Sequence, residues 1–239
     1  MTEVEWLAGD DPFAMLGSLR GRSSDRKLRL FAVACCQRLL GKVRLHPWYA
    51  HGVGMAERYA EGTATAEELE RVRHYPPPEW CRRHAPRFDQ KDVAGQSVRV
   101  TKLAINACWN AMEVEDGILI ADGASTNAAW AATQPEGVMP DDGIRAARLA
   151  AERAVQANIL RDIAGNPFRP ETTDSAWLTP TVVRLASGIY ADLAFDRLPI
   201  LADALEEAGC DRLDILTHCR GPGPHVRGCW VVDLTLGLK

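Results

Sequence analysis

Alternating apolar and polar runs, the mark of a half-buried β-strand, are nearly absent from this chain. The one candidate is Cys229-Trp230-Val231-Val232, and it is short. Apolar residues instead recur at three- and four-residue spacing, and alanine fills 34 of the 239 positions. Alanine has the highest intrinsic helix propensity, and its small side chain lets helices approach closely. The expectation is an all-α chain: an irregular multi-helix bundle of about eight to ten helices, with degenerate helical-hairpin repeats as the alternative arrangement.

Capping signals place the elements. Asp11 before Pro12 predicts a helix start, with the proline at the first helical position. Ser24 to Leu40 reads as a helix with Leu28, Phe31, Cys35 and Leu39 on one face, and Pro47 to Ala60 as another. Thr65 with Glu68 forms a capping box. The triple proline Pro76-Pro77-Pro78 then breaks the pattern, since proline lacks an amide donor and favours an extended backbone. Helical spacing resumes near Lys91, and a further helix is predicted from Ala124 to Ala132. The longest predicted helix, Asp142 to Ala164, carries Ile144, Ala147, Ala151, Val155 and Ile159 on one stripe and stops at Gly165. Asn166 to Thr179 reads as a long loop. Helices from Pro180 to Asp192, from Leu198 to Gly209 and from Asp211 follow, and a last one is expected from His225 to Leu236.

The organisation expected is a single all-helical domain over 1–239. Its natural subdivision is 1–74, a Pro-rich linker at 75–90, and 91–239. A net charge of −4 makes nucleic acid an unlikely partner, since such proteins usually carry a basic domain or stripe. The charge run Arg20, Arg22, Arg26, Lys27, Arg29 reads as a solvated helix face. No apolar stretch is long enough to span a membrane, no secretory signal pattern opens the chain, and the seven cysteines are odd in number. These features point to a cytoplasmic protein with reduced thiols.

The segment from His218 to Trp230 is the strongest local oddity. His218, Cys219, His225 and Cys229 fall within twelve residues, and Cys210 precedes His218 by eight. Imidazole and thiolate are zinc ligands, and four of them in a tetrahedron make a closed site. With a helix opening at Pro224, His225 and Cys229 would be an i, i+4 pair on one face. Against this, the adjacent His218 and Cys219 are hard to aim at one ion, and no C-x2-C knuckle is present. The plainer reading makes Cys219 and Cys229 small buried hydrophobes. A further alternative is anion or ligand binding by Arg220, His225 and Arg227 around the Gly221-Pro222-Gly223-Pro224 turn. No cofactor is predicted beyond this zinc alternative.

No catalytic residue is assigned. Cys35-Cys36 lies in an apolar helix, Cys219 with His225 and Asp214 or Asp233 is a triad only on paper, and no H-E-x-x-H motif occurs. Asp162 and Asp203 read as ion-pair partners in helices that also carry arginine. The tryptophans, mostly at element ends or in loops, read as pins that hold loops down or as anchors for a partner.

Two further groups of residues carry a resemblance. The opening Glu5-Trp6-Leu7-Ala8 with Ser24-Asp25-Arg26-Lys27-Leu28-Arg29-Leu30-Phe31 is one. Leu160 to Pro170 and Phe195 through Gly223-Pro224-His225-Val226-Arg227-Gly228-Cys229-Trp230 make the other. In these stretches the chain resembles a family of uncharacterised bacterial proteins. The resemblance implies a natural single unit and brings no activity, cofactor or catalytic residue with it. The expected function is therefore a non-catalytic helical module that binds an unidentified protein partner through Trp80, Pro77 and Trp177. The alternative is a ligand- or zinc-binding helical protein, or an enzyme, with its site at His218 to Cys229 closed by the Asn166–Thr179 loop.

Overall fold

The computed structural model of the chain describes residues 1–42, 45, 47–74, 104, 106–114, 116–133, 141–169 and 172–239. The chain is all-α, with no strand among the described residues. The triple proline, the 75–90 linker, Pro77, Trp80 and the helical pattern expected from Lys91 to Leu103 lie outside the described residues. Among the described residues no helix is long and apolar enough to cross a membrane.

Contacts divide the chain into two compact units: Met1–Gly9 with Asn158–Lys239, and Asp10–Ala157. The second unit holds α2 (Pro12–Leu19), α3 (Asp25–Leu40), α4 (Pro47–Ala60), α5 (Ala66–His74), α6 (Gly117–Ala132) and most of α7 (Asp142–Ala164). Helix α3 packs most extensively on α6 and then on α4. It is buried nearly all round, as a central helix must be, and Ser24 caps it by accepting the Lys27 amide N–H. Small residues on α6 (Ala121, Ala124, Ser125, Ala128) are buried and permit close approach. Helix α6 starts at Gly117, earlier than the alanine run suggested, because Asp116 caps it through the Ile118 amide.

The charge run on α3 departs from expectation. Lys27 and Arg29 are buried rather than solvated. The Arg29 guanidinium donates to the carbonyls of Glu113 (2.6 Å) and Val114 (2.8 Å) and to Asp25, and it lies over the Tyr59 ring. A planar fork of donors suits a pair of backbone acceptors, and these satisfy the charge on burial. On α7 the predicted stripe also fails in its first half, since Ile144, Ala147 and Ala151 are exposed. Glu152 and Gln156 turn inward instead: Glu152 takes hydrogen bonds from Arg38 and Lys42, and Gln156 donates to the Ser125 carbonyl. Alanines on every side of α7 leave the apolar spacing ambiguous, so these polar pairings decide which side is buried.

The other unit builds on α1 (Glu3–Ala8), α8 (Pro180–Asp192), α9 (Leu198–Glu207), α10 (Leu213–Arg220) and α11 (Trp230–Leu236). Helix α1 was not foreseen; Thr2 and Glu5 close a full capping box around its first turn. The fully buried Trp6 donates its indole N–H to the Gly165 carbonyl at 3.0 Å. Helices α8 to α11 enclose one core that includes Val182, Leu198, Leu201, Leu205, Cys219 and Val232. The last helix starts at Trp230 rather than His225, because Gly223 and Gly228 take positive φ (78° and 92°) that no α-helix accommodates. Leu201→Ala should therefore cost about 3 kcal/mol, the price of a cavity at a site with no solvent exposure, read as a lower denaturant midpoint.

Candidate metal centre

Four donors converge at one end of this C-terminal core. One ligand atom from each of Asp162, His218, His225 and Cys229 lies within 4.8 Å of all the others. Asp162 sits in the last turns of α7, His218 near the end of α10, His225 in the loop after it, and Cys229 at the start of α11. His218 Nε2 is 3.1 Å from Asp162 Oδ1 and 3.3 Å from Cys229 Sγ. His225 Nδ1 is 2.6 Å from the same Oδ1. Two of these separations approach the edge of a zinc tetrahedron, about 3.3–3.6 Å for bonds of 2.0–2.3 Å; the third is a hydrogen-bond length.

The surroundings orient the donors. Asp162 Oδ2 accepts the Val226 backbone N–H at 2.8 Å, which leaves Oδ1 to face the imidazoles. His225 Nε2 faces the Gly221 carbonyl at 3.4 Å; the 2.6 Å contact to Asp162 needs a proton on Nδ1, which an ion bound there would displace. The His218 ring packs edge-on against His225, with centroids 4.8 Å apart, and against Trp230. Glycine is required in the loop: a Cβ on Gly223 would stand 3.0 Å from the His225 nitrogen, at φ +78°.

The electrostatics are those of a buried charge with partners. Burial pushes the Asp162 carboxyl up, but the hydrogen bonds and charges of His218 and His225 outweigh it and bring the net direction down. Burial pushes His225 down, and the Asp162 hydrogen bond and charge reverse that to a net rise. Burial holds the Cys229 thiol well above its ordinary range, and the Asp162 charge adds to it. Such a thiol is no nucleophile in its own right. The geometry also departs from a Cys–His–Asp triad, in which the acid and the thiol sit on opposite ring nitrogens. Here both face His218 Nε2.

Each expected site residue has a definite place. His218, His225 and Cys229 come together; Cys219 does not join them. It is fully buried in the helical core, where desolvation pushes its thiol up to about 12. Adjacent side chains on α10 point in different directions, so one goes to the centre and the other to the core. The i, i+4 relation of His225 and Cys229 is replaced by a loop that curls back on itself. Arg220 pairs with Asp203 (2.7 Å) and Glu206 (2.5 Å), and the Arg227 guanidinium lies 4.6 Å over the Tyr190 ring. Asp214 pairs with Arg212. Trp177 is half-buried in a 3-10 turn against the core, and Trp80 and Pro77 lie outside the described residues.

Asp162 is the member of this cluster that the sequence did not single out. The ion pair expected from Arg161 does not form with it: Arg161 donates to the carbonyls of Trp6 and Gly9 and to Asn158 Oδ1. A signal was present, since Asp162 lies three residues after Ile159 and next to Ile163, on the side of α7 that is buried here. A carboxylate at a core position needs a partner.

Two clefts meet at the centre. One, of about 160 Å³, is lined by Asn158, Arg161, Asp162, His218, His225 and the Gly221–Pro224 turn. The other, of about 320 Å³, shares Arg161 and His218 with it and extends to Trp6, Asn166 and Trp230. No family model matches the chain, no curated protein matches it, and no solved structure matches it. Gly223→Ala should cost roughly 1–3 kcal/mol, the scale of a strained backbone conformation, seen as a lower urea midpoint.

Proposed function

We propose that this chain is a zinc-binding helical protein whose ion is held by Asp162, His218, His225 and Cys229. The observation that carries the reading is the convergence at His218 Nε2, which faces both a carboxylate oxygen and a thiol sulfur. One ring nitrogen makes one directed hydrogen bond, whereas an ion between the three atoms satisfies all of them. The donor set is mixed nitrogen, oxygen and sulfur, which suits zinc better than calcium or magnesium. Val226 and Gly221 supply the outer contacts that orient Asp162 and His225.

In this reading the ion is a clasp. It joins α7 to α10, the Gly221–Gly228 loop and α11, whose contacts otherwise run through apolar packing and the Asp162 hydrogen bonds. Of the residues behind the protein-interaction expectation, only Trp177 is described, and it packs inward.

The full chain, purified without chelator, should contain one zinc per molecule by elemental mass spectrometry. Asp162→Ala and His225→Ala should each lose it, while Cys219→Ala should retain it. Retention of stoichiometric zinc by both of the first two variants would overturn the proposal. Free zinc at a hundred times its dissociation constant should also stabilise the protein by about 2.7 kcal/mol over the chelated form, measured by denaturant titration.

A further inference from the structure

The 160 Å³ cleft bears on what this centre can bind. Three of its four ligands, Asp162, His218 and His225, form part of the cleft wall, while Cys229 is fully buried behind them. An ion held there would be shielded on the thiolate side and would face the cleft on the other. We infer that the cleft admits a small oxyanion, a carboxylate or phosphate oxygen, as an additional ligand to the metal. This rests on the metal reading above.

Charge and size support it. A divalent ion with one carboxylate and one thiolate is neutral as a unit, and the Arg161 guanidinium on the same wall adds a positive charge. Arg161 is fixed in place by the carbonyls of Trp6 and Gly9 and by Asn158 Oδ1, so its position does not depend on a ligand. The turn Gly221-Pro222-Gly223-Pro224 also lines the cleft; its prolines have no N–H, and the Gly221 N–H is already given to the His218 carbonyl. The turn offers an anion at most the Gly223 N–H, so recognition falls chiefly to the metal and Arg161. The volume is enough for acetate or phosphate. Zinc on occasion expands from four ligands to five, and the side facing the cleft is where such an oxygen would enter.

The test uses the full chain with cobalt(II) in place of zinc, because the visible bands of cobalt report coordination number. Sodium acetate and sodium phosphate are titrated separately, with sodium perchlorate at matched ionic strength as the control. A saturable loss of the four-coordinate bands with either anion, absent with perchlorate, is the expected result. The two titrations tell a carboxylate site from a phosphate site. Asn158→Asp keeps the oxygen that Arg161 uses and puts a negative charge on the cleft wall. It should retain cobalt and weaken the anion by roughly tenfold. Cobalt bands that no anion alters would overturn this inference and leave the metal reading intact. An anion response untouched in Asn158→Asp would remove it from this cleft and likewise overturn the inference. Failure to bind cobalt or zinc at all would overturn both.

Discussion

A single buried carboxylate organises the C-terminal half of this protein. Asp162 is 2 % exposed, and an ionised group at that depth is tolerated only when charge and hydrogen bonds compensate it. Its partners come from a segment far along the chain: His218, His225 and the Val226 amide. Satisfying Asp162 therefore fixes where α10 ends, how the glycine-proline loop folds back and where α11 begins. The apolar core beneath, from Val182 to Val232, supplies the driving force for burial. The carboxylate supplies the direction.

The same logic recurs in the Asp10–Ala157 unit. Helix α3 buries Arg29 against two carbonyls ahead of α6, and its Asp25 accepts the Gly117 N–H at the start of that helix. A Cβ on Gly117 would stand 2.3 Å from the Asp25 oxygen, so an alanine there would push the carboxylate aside and break that contact. Helix α7 turns Glu152 inward toward Arg38 and Lys42. In a chain this rich in alanine, apolar periodicity fixes that a segment is helical but only loosely which side is buried. Polar pairings with one geometric solution settle the rest.

That distinction explains what could be read in advance. Helices α3, α4, α7 and α8 begin and end within a residue or so of expectation, because Ser24, Pro47, Gly165 and Pro180 are local signals. Helix α1 is short and its apolar residues are few, so periodicity had little to work on, although Thr2 and Glu5 were a legible capping box. Three of the four clustered side chains, His218, His225 and Cys229, stand close together in the sequence, and the adjacency of His218 and Cys219 already argues against both turning to one point. Asp162 was not legible, because it lies 56 residues before His218 and its role depends on the burial of one side of α7. Arg161 beside it offered a local partner that the fold assigns to the backbone of α1.

The discontinuous unit has a consequence for how the chain is made. Met1–Gly9 belongs with Asn158–Lys239, and Trp6 reaches its acceptor only at Gly165. On a ribosome, the first nine residues emerge long before the surface that receives them. At ordinary elongation rates that interval is on the order of ten seconds. During it the Trp6 indole, fully buried in the finished fold, lacks both its cover and its acceptor. Helix α1 is thus made well before residues 158–239 and can dock only after them.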